Sequence, residues 1–575
     1  MAYYSFGLLV LSTLLPSIHS RPLQEPQPIA SCVTSDAVRF RGTTANNVES
    51  FLNIRFGEDT SGANRFTPPK PFNYPAGTLV NATAPGAACP QPKQAVSTMP
   101  LFDNVTHMSE DCLTLRVDRP AGTPASAKLP VMVWIYGGGD TFGQIYDSAY
   151  DPTGLVLGAA DKGTPVIYVA MNYRVGVFGF AASPALNATD SLNAGLLDQR
   201  LAIEWVRDHI ETFGGDPDNV TIFGESDGAT GVGLQITAYG GQQKAPFKRA
   251  ILQSGSPMAD KETAGTKSLR HTKQLTKLVN CTASTSEAEL QCLRSVPMAK
   301  LNSIAVAYEN KVGGNSGMGV FVPVAPSTFI PDSPSKLLAT GRFSRGIDTL
   351  GGWNQDDGSF DTLATLSSDE DVFAYLKYEY PALSNKTIKH VMALYPVSSF
   401  PDLPSENISA HYFRTSRIQR DAEFTCPTLY TAQMNHKYSP ESANYLFSLN
   451  QTIFRSAYAA ANMSYLGVSH FSDIPYVFNQ ASAEALAPYA TNEDLKLSSV
   501  MSGSWAAFAK TGLPSAGNGT ISGWADAFGS GGGAQDQFLH VIGGPDHGSK
   551  TTKYDDLGAR CAFWNSHEGF AARGV

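Results

Sequence analysis

Apolar residues fall along this chain in two patterns, and each predicts an element. The continuous runs Leu129 to Tyr136 and Val166 to Met171 read as strands covered on both faces. The β-branched run Val220 to Phe223 and the stretch Arg249 to Gln253 predict two more strands. Between them, Asn193 to Phe213 places Leu197, Leu201, Trp205 and Ile210 near helical spacing, and Gly214-Gly-Asp-Pro217 ends the helix. Asp227 to Ala238 again predicts a helix. Upstream, Cys32 to Phe56 predicts short strands, Phe66 to Pro92 a loop-rich span, and Glu110 to Val117 a strand. Past residue 260 the helices become more polar, while strands recur at Ile347 to Gly351 and Ala443 to Leu449. Gly529 to Gly533 predicts a surface loop. Strands alternating with helices around apolar runs predict an α/β protein, its large, mostly parallel central sheet covered by helices on both faces. No stretch reads as a linker, so residues 21–575 are expected to form a single domain.

Composition narrows the class. The chain has 575 residues, of which 42% are hydrophobic and 16% charged, the balance of a well-buried globular protein. Its formal net charge of −9 argues against a nucleic-acid partner. The apolar run Phe6 to Leu15, then Pro16 and the small Ser20, predict a signal peptide over residues 1–20 and a secreted protein. That run is too short to span a bilayer and no later stretch reaches about 18 apolar residues, so no transmembrane segment is expected. Glycosylation sequons fit export: Asn81, Asn104, Asn187, Asn280, Asn385, Asn407, Asn450, Asn462 and Asn518 are expected acceptors. Asn219 carries the same signal but abuts the Val220 strand, and is expected to be unused. Seven cysteines imply bridges with one left over. Cys281 with Cys292 closes a short loop, and Cys89 with Cys112 a longer one, but spacing does not give the connectivity. None forms CxxC with matching histidines, so no metal site is expected.

The chemistry concentrates at Gly224-Glu225-Ser226-Asp227-Gly228, which lies between a predicted strand and a predicted helix. This is the strand–turn–helix setting of a G-x-S-x-G nucleophile elbow. Glycines flank the serine because so sharp a turn leaves no room for side chains against the neighbouring backbone. A serine hydroxyl needs a base, and the base an orienting acid, each at the end of a strand. Asn354-Gln-Asp-Asp-Gly358 follows the Ile347 strand and nominates Asp356 or Asp357. Gly467-Val-Ser-His470 lies beyond the Ala443 strand and nominates His470.

In order, SEDCLTL, WIYGGG, NYRVGVFGF, LDQRLAIEWVRDHIETFGGDPDNVTIFGES, ILQSGSP, NQDDGSF and GVSH make the chain from about Cys32 to Trp564 resemble type-B carboxylesterases and lipases. This is the cholinesterase-like branch of the α/β-hydrolases, and the wording is closest to secreted fungal members. The resemblance implies an α/β-hydrolase fold and hydrolysis of a small-molecule or lipid ester through an acyl-enzyme, without a cofactor. It places the nucleophile on Ser226, the base on His470 and the acid on Asp357, where glutamate is usual. It puts the oxyanion hole on the backbone N–H groups of Gly138, Gly139 and Asp227. It pairs Cys89–Cys112, Cys281–Cys292 and Cys426–Cys561, leaving Cys32 odd, and sets Glu225 and Ser254 behind the triad as a satisfied polar pair. Two alternatives remain: a catalytically silent binding member, and an acyltransferase using the same triad.

Departures from the family pattern are also visible. Asp227 stands where alanine is usual, and Asp140 where an aromatic follows the glycine loop. Asp227 is expected to turn its side chain away from the hole and favour the helix N-terminus. The charges of Asp140 and Asp227 are expected to raise the pKa of His470. No tryptophan lies between Cys89 and Cys112 to hold a quaternary ammonium; Phe102 is the nearest aromatic, so a choline ester is disfavoured.

Overall fold

Among the described residues, the alternating pattern folds into one 13-stranded mixed sheet of the α/β class. The computed structural model describes residues 27–33, 38–93, 102–313, 318–529, 538–544, 550–553 and 557–575. The expected signal peptide at 1–20 and all but Gly529 of the Gly529–Gly533 loop lie outside the described residues.

The apolar runs form the parallel middle of the sheet. Ile167–Met171, Leu129–Ile135, Gly215–Glu225, Arg249–Gln253, Asp348–Asn354 and Asn444–Leu449 lie side by side in that order, every neighbouring pair parallel. Their residues from Val131 to Ile135 and from Ile167 to Met171 are wholly buried, as expected of strands packed on both faces. The N-terminal strands Gln27–Val33, Arg39–Ala45, Val48–Arg55 and Thr114–Pro120 add an antiparallel wing. Phe538–Ile542 and Lys550–Lys553 close the far edge and were not expected from the sequence.

Boundaries shift where hydrogen bonding overrides local pattern. The elbow strand begins at Gly215 rather than Val220, because Gly215 already pairs with Leu129. The predicted strand at Glu110 starts only at Thr114, since Glu110 instead grips Arg65 in a buried bidentate pair. The helix expected from Asn193 runs Ala194–His209 and tightens into a 3₁₀ turn, Ile210–Phe213. Its core face passes through Ala202, Ile203 and Val206, leaving Leu197 and Leu201 half-buried at its border. A stripe drawn through Leu197 and Leu201 was therefore offset from the true face.

The three disulfides join Cys89 to Cys112, Cys281 to Cys292 and Cys426 to Cys561. The first ties down the segment that leads into Thr114–Pro120; the last fastens the helix Gly558–Trp564, near the C-terminus, to the helix Cys426–Tyr438. Among the described residues, no helix is long and apolar enough to cross a membrane. Of the sequon asparagines, Asn81, Asn104, Asn187, Asn280, Asn385, Asn407, Asn462 and Asn518 are exposed, and Asn450 is half-buried. Asn219 holds Arg249 Nη1 through its side-chain oxygen and donates to the Lys510 carbonyl.

Candidate active site

Three loops at the ends of the parallel strands meet over the sheet. The first is the elbow, where the strand Gly215–Glu225 turns into the helix Asp227–Thr237. Ser226 sits at the apex with φ 59° and ψ −129°, a conformation that side chains adopt only under strain. Packing leaves no alternative: a Cβ on Gly228 would lie 2.0 Å from the Ile135 carbonyl oxygen, and one on Gly224 2.5 Å from the Gly228 backbone. The strand and its helix can approach only through these glycines.

The second loop carries the two candidate acids. Asp357 is fully buried after the strand Asp348–Asn354. Its Oδ1 lies 2.9 Å from His470 Nδ1, and its Oδ2 accepts from the Asn354 N–H at 2.7 Å and the Ser254 hydroxyl at 2.9 Å. These donors stabilise the ionised carboxylate and fix its direction. The neighbouring Asp356, the other nominee, does different work. It exchanges two 2.9 Å bonds with Val468: its N–H donates to the carbonyl and its Oδ2 accepts from the N–H. Asp356 thus stitches the acid loop to the histidine loop, while Asp357 faces the ring.

The third loop presents His470 just past Gly467, whose φ is 59°. His470 Nε2 lies 2.8 Å from Ser226 Oγ, and the Phe424 ring packs against the imidazole at 4.9 Å between centroids. Ser226, His470 and Asp357, nominated separately in the sequence, therefore form a continuous hydrogen-bonded chain. Such a relay can deprotonate a hydroxyl as it attacks a carbonyl carbon.

Glu225 departs from expectation. It is fully buried, yet neither carboxyl oxygen has a hydrogen-bond partner among the described groups, so it is not half of a satisfied pair. Its Oε1 instead lies 3.4 Å from His470 Nε2. Burial pushes the Glu225 carboxyl well above the usual range. Burial alone would depress the imidazole of His470, but Glu225 and then Asp357 outweigh it and push it up to about 10. The carboxylate that presses hardest on His470 is thus Glu225, rather than Asp140 or Asp227. The signal was its position: the last strand residue before Ser226 lies directly beneath it.

The glycine loop forms the roof. Tyr136, immediately before it, stacks on Tyr173 at 4.4 Å, and the Tyr173 hydroxyl donates to the Tyr136 carbonyl at 2.7 Å. The buried Arg174–Asp198 pair, 2.7 and 2.8 Å, holds that neighbouring segment in place. Gly138 has φ 117°, a conformation reserved for glycine, and Asp140 follows in the left-handed region with φ 55°. Gly139 and Asp227 are close together, as the expected hole requires, but the Asp227 side chain is not turned away. Its Oδ2 accepts the Gly139 N–H and lies 3.5 Å from Ser226 Oγ. The short side chain at the first helical position folds back over the turn, where an unpaired donor awaits it.

Asp140 and Asp260 complete an acidic group with Asp227, one oxygen of each lying within 4.8 Å of the others. Burial raises Asp140 and Asp260 well above the carboxylate range, and the neighbouring acids raise them further. Sequence reasoning missed Asp260, which arrives from a loop after the Arg249 strand with no motif to mark it. Phe102 packs edge-on against Phe471 at 5.3 Å and Phe142 at 6.0 Å, and Phe471 packs against the His470 ring at 4.4 Å.

Comparison with known proteins gives a consistent placement. The carboxylesterase family model matches residues 32–564. An inactive carboxylesterase-like protein, VdtD, of Byssochlamys spectabilis is 39% identical over 92% of this chain and 93% of its own. A secreted lipase of Arthroderma benhamiae is 37% identical over 99% of both chains. EstA of Aspergillus niger superposes with a TM-score of 0.76 at 25% identity, covering 95% of this chain and 99% of its own.

Proposed function

Because the chain belongs to the carboxylesterase family and is a carboxylic ester hydrolase, we propose that it works through a Ser226 acyl-enzyme, outside the cell. The observation that carries this reading is the unbroken chain from Ser226 Oγ through His470 to Asp357. His470 Nε2 takes the hydroxyl proton as Oγ attacks the ester carbonyl; Asp357 holds the Nδ1 proton and steadies the imidazolium. The tetrahedral oxyanion is stabilised by backbone N–H groups of Gly138, Gly139 and Asp227. Its collapse expels the alcohol, which receives the proton from His470. Water then attacks the acyl-enzyme with the same base, releasing the acid and restoring Ser226.

The three disulfides and the secreted lipase among its relatives support an extracellular setting. The aromatic wall of Phe102, Phe142 and Phe471 favours an apolar acyl or alcohol group. A catalytically silent member is the second reading. It is favoured by the Asp227 side chain in the roof and by the inactive relative. Ser226→Ala separates the two: ester turnover by folded wild type, lost in the variant, supports the acyl-enzyme. Folded wild type and Asp227→Ala that both lack turnover support the silent reading.

A further inference from the structure

A hydrolase can stabilise an acyl oxyanion only if the donors that would hold it are free when substrate arrives. In this chain one of them is engaged. The Gly139 N–H points at Asp227 Oδ2, and the same oxygen stands 3.5 Å from Ser226 Oγ. An ester carbonyl attacked by Ser226 must put its oxygen in that space, between the nucleophile and the roof. We propose that Asp227 is a built-in block of the oxyanion hole, and that its withdrawal toward Asp140 and Asp260 sets the rate of ester hydrolysis. The inference rests on the Ser226 acyl-enzyme reading.

The destination is part of the same geometry. Asp140 is buried with one carboxyl oxygen unpartnered, and the corresponding Asp260 oxygen is likewise unpartnered. Both acids lie within reach of Asp227, one oxygen of each within 4.8 Å of the others. Because burial keeps both well above the usual carboxylate range, each can meet Asp227 as a hydrogen-bond donor rather than as a like charge. The charge of Lys267 works the other way, favouring the ionised form of both acids, but burial and the neighbouring carboxyls outweigh it. The Asp260 carboxyl already lies within hydrogen-bonding reach of the Asp227 side chain, so a rotation that gives up the Gly139 N–H keeps a carboxylic acid partner and leaves the hole open. The elbow backbone need not move, since Ser226 is held by its own N–H to the Gln253 carbonyl at 2.9 Å.

A blocked hole costs transition-state binding, because the ground-state ester makes little use of those donors. Relieving it should raise kcat and leave KM nearly alone. One oxyanion donor is worth about 10²–10³ in kcat in a comparable site. The test is the full-length secreted protein with Asp227→Ala, assayed on p-nitrophenyl butyrate. The expected result is a rise in kcat of at least about tenfold with KM within about threefold of wild type. Asp227→Asn keeps size and fold, but its amide oxygen is a weaker acceptor, so its kcat should fall between the two. If Asp227→Ala does not fold, Asp227→Asn decides alone. A folded variant with kcat at or below wild type overturns the block, as does a gain confined to KM. Adding Ser226→Ala should erase the gain; a gain that survives without Ser226 overturns the acyl-enzyme reading instead.

Discussion

Replacing Glu225 by glutamine should move the acid limb of kcat/KM to lower pH. The perturbation is nearly isosteric and removes a buried carboxyl 3.4 Å from His470 Nε2. A full charge at that distance, in an effective dielectric near 20, interacts by about 5 kcal/mol. At about 1.36 kcal/mol per decade this corresponds to more than three decades in the protonation of the imidazole. Asp357 also raises His470 and burial lowers it, the balance pushing it up to about 10. The burial of Glu225 works the other way, favouring its neutral form and reducing the charge that His470 feels. The limb should therefore fall by at least about one pH unit and by less than the full three. The sign follows from the role of the base. His470 must be neutral to accept the Ser226 proton, so a raised pKa delays activity to higher pH, and losing Glu225 restores it at lower pH. The assay is kcat/KM for one neutral ester between pH 5 and 10.5, repeated on Asp227→Ala so that the acidic roof does not contribute its own titration. Coincident limbs for wild type and Glu225→Gln would refute the reasoning, since they would mean that Glu225 carries no charge while His470 titrates.

Four further changes probe the relay and the support around it. Asp357→Asn should cost about 10⁴-fold in kcat by favouring the wrong imidazole tautomer. Asp356→Asn should cost far less turnover but lower the thermal midpoint, because Asp356 ties the acid loop to Val468; a reversed order in activity assays would disprove the division of labour. Ser254→Ala removes one hydroxyl bond to Asp357, a loss of about 1.5–3 kcal/mol if borne fully by the transition state, and should lower kcat about 10- to 100-fold with unchanged KM. Cys426→Ser with Cys561→Ser opens a loop with a sequence separation of 135. Chain entropy puts its worth at roughly 5 kcal/mol, so calorimetry should show a clear fall in midpoint; an unchanged midpoint would contradict that entropic account.

The parts of the fold that the sequence revealed are those whose physics is local. Buried parallel strands need continuous apolar runs, so Leu129–Ile135, Ile167–Met171 and Arg249–Gln253 were legible to within a residue. The edge strands Phe538–Ile542 and Lys550–Lys553 lack such a run and escaped notice. At the site, the elbow announced Ser226 through its flanking glycines, and strand ends narrowed the acid and base. The choice between Asp356 and Asp357 needed the third dimension, because both lie in one turn and only direction separates them. The same holds for Asp227. Its helix-start position suggested a side chain directed at the helix end, but its Oδ2 instead accepts the Gly139 N–H from across the site. Asp260 acts across elements, and composition or spacing carries no trace of such a contact.

The acyl-enzyme claim is tested most directly by covalent capture. Wild-type protein and the Asp227→Ala variant are treated with a fluorophosphonate, and the intact mass and labelled peptide are determined. The account predicts one adduct per chain, on Ser226, formed faster in Asp227→Ala and absent from both Ser226→Ala and His470→Ala. Folded protein that stays unmodified at Ser226 in wild type and Asp227→Ala alike would contradict it.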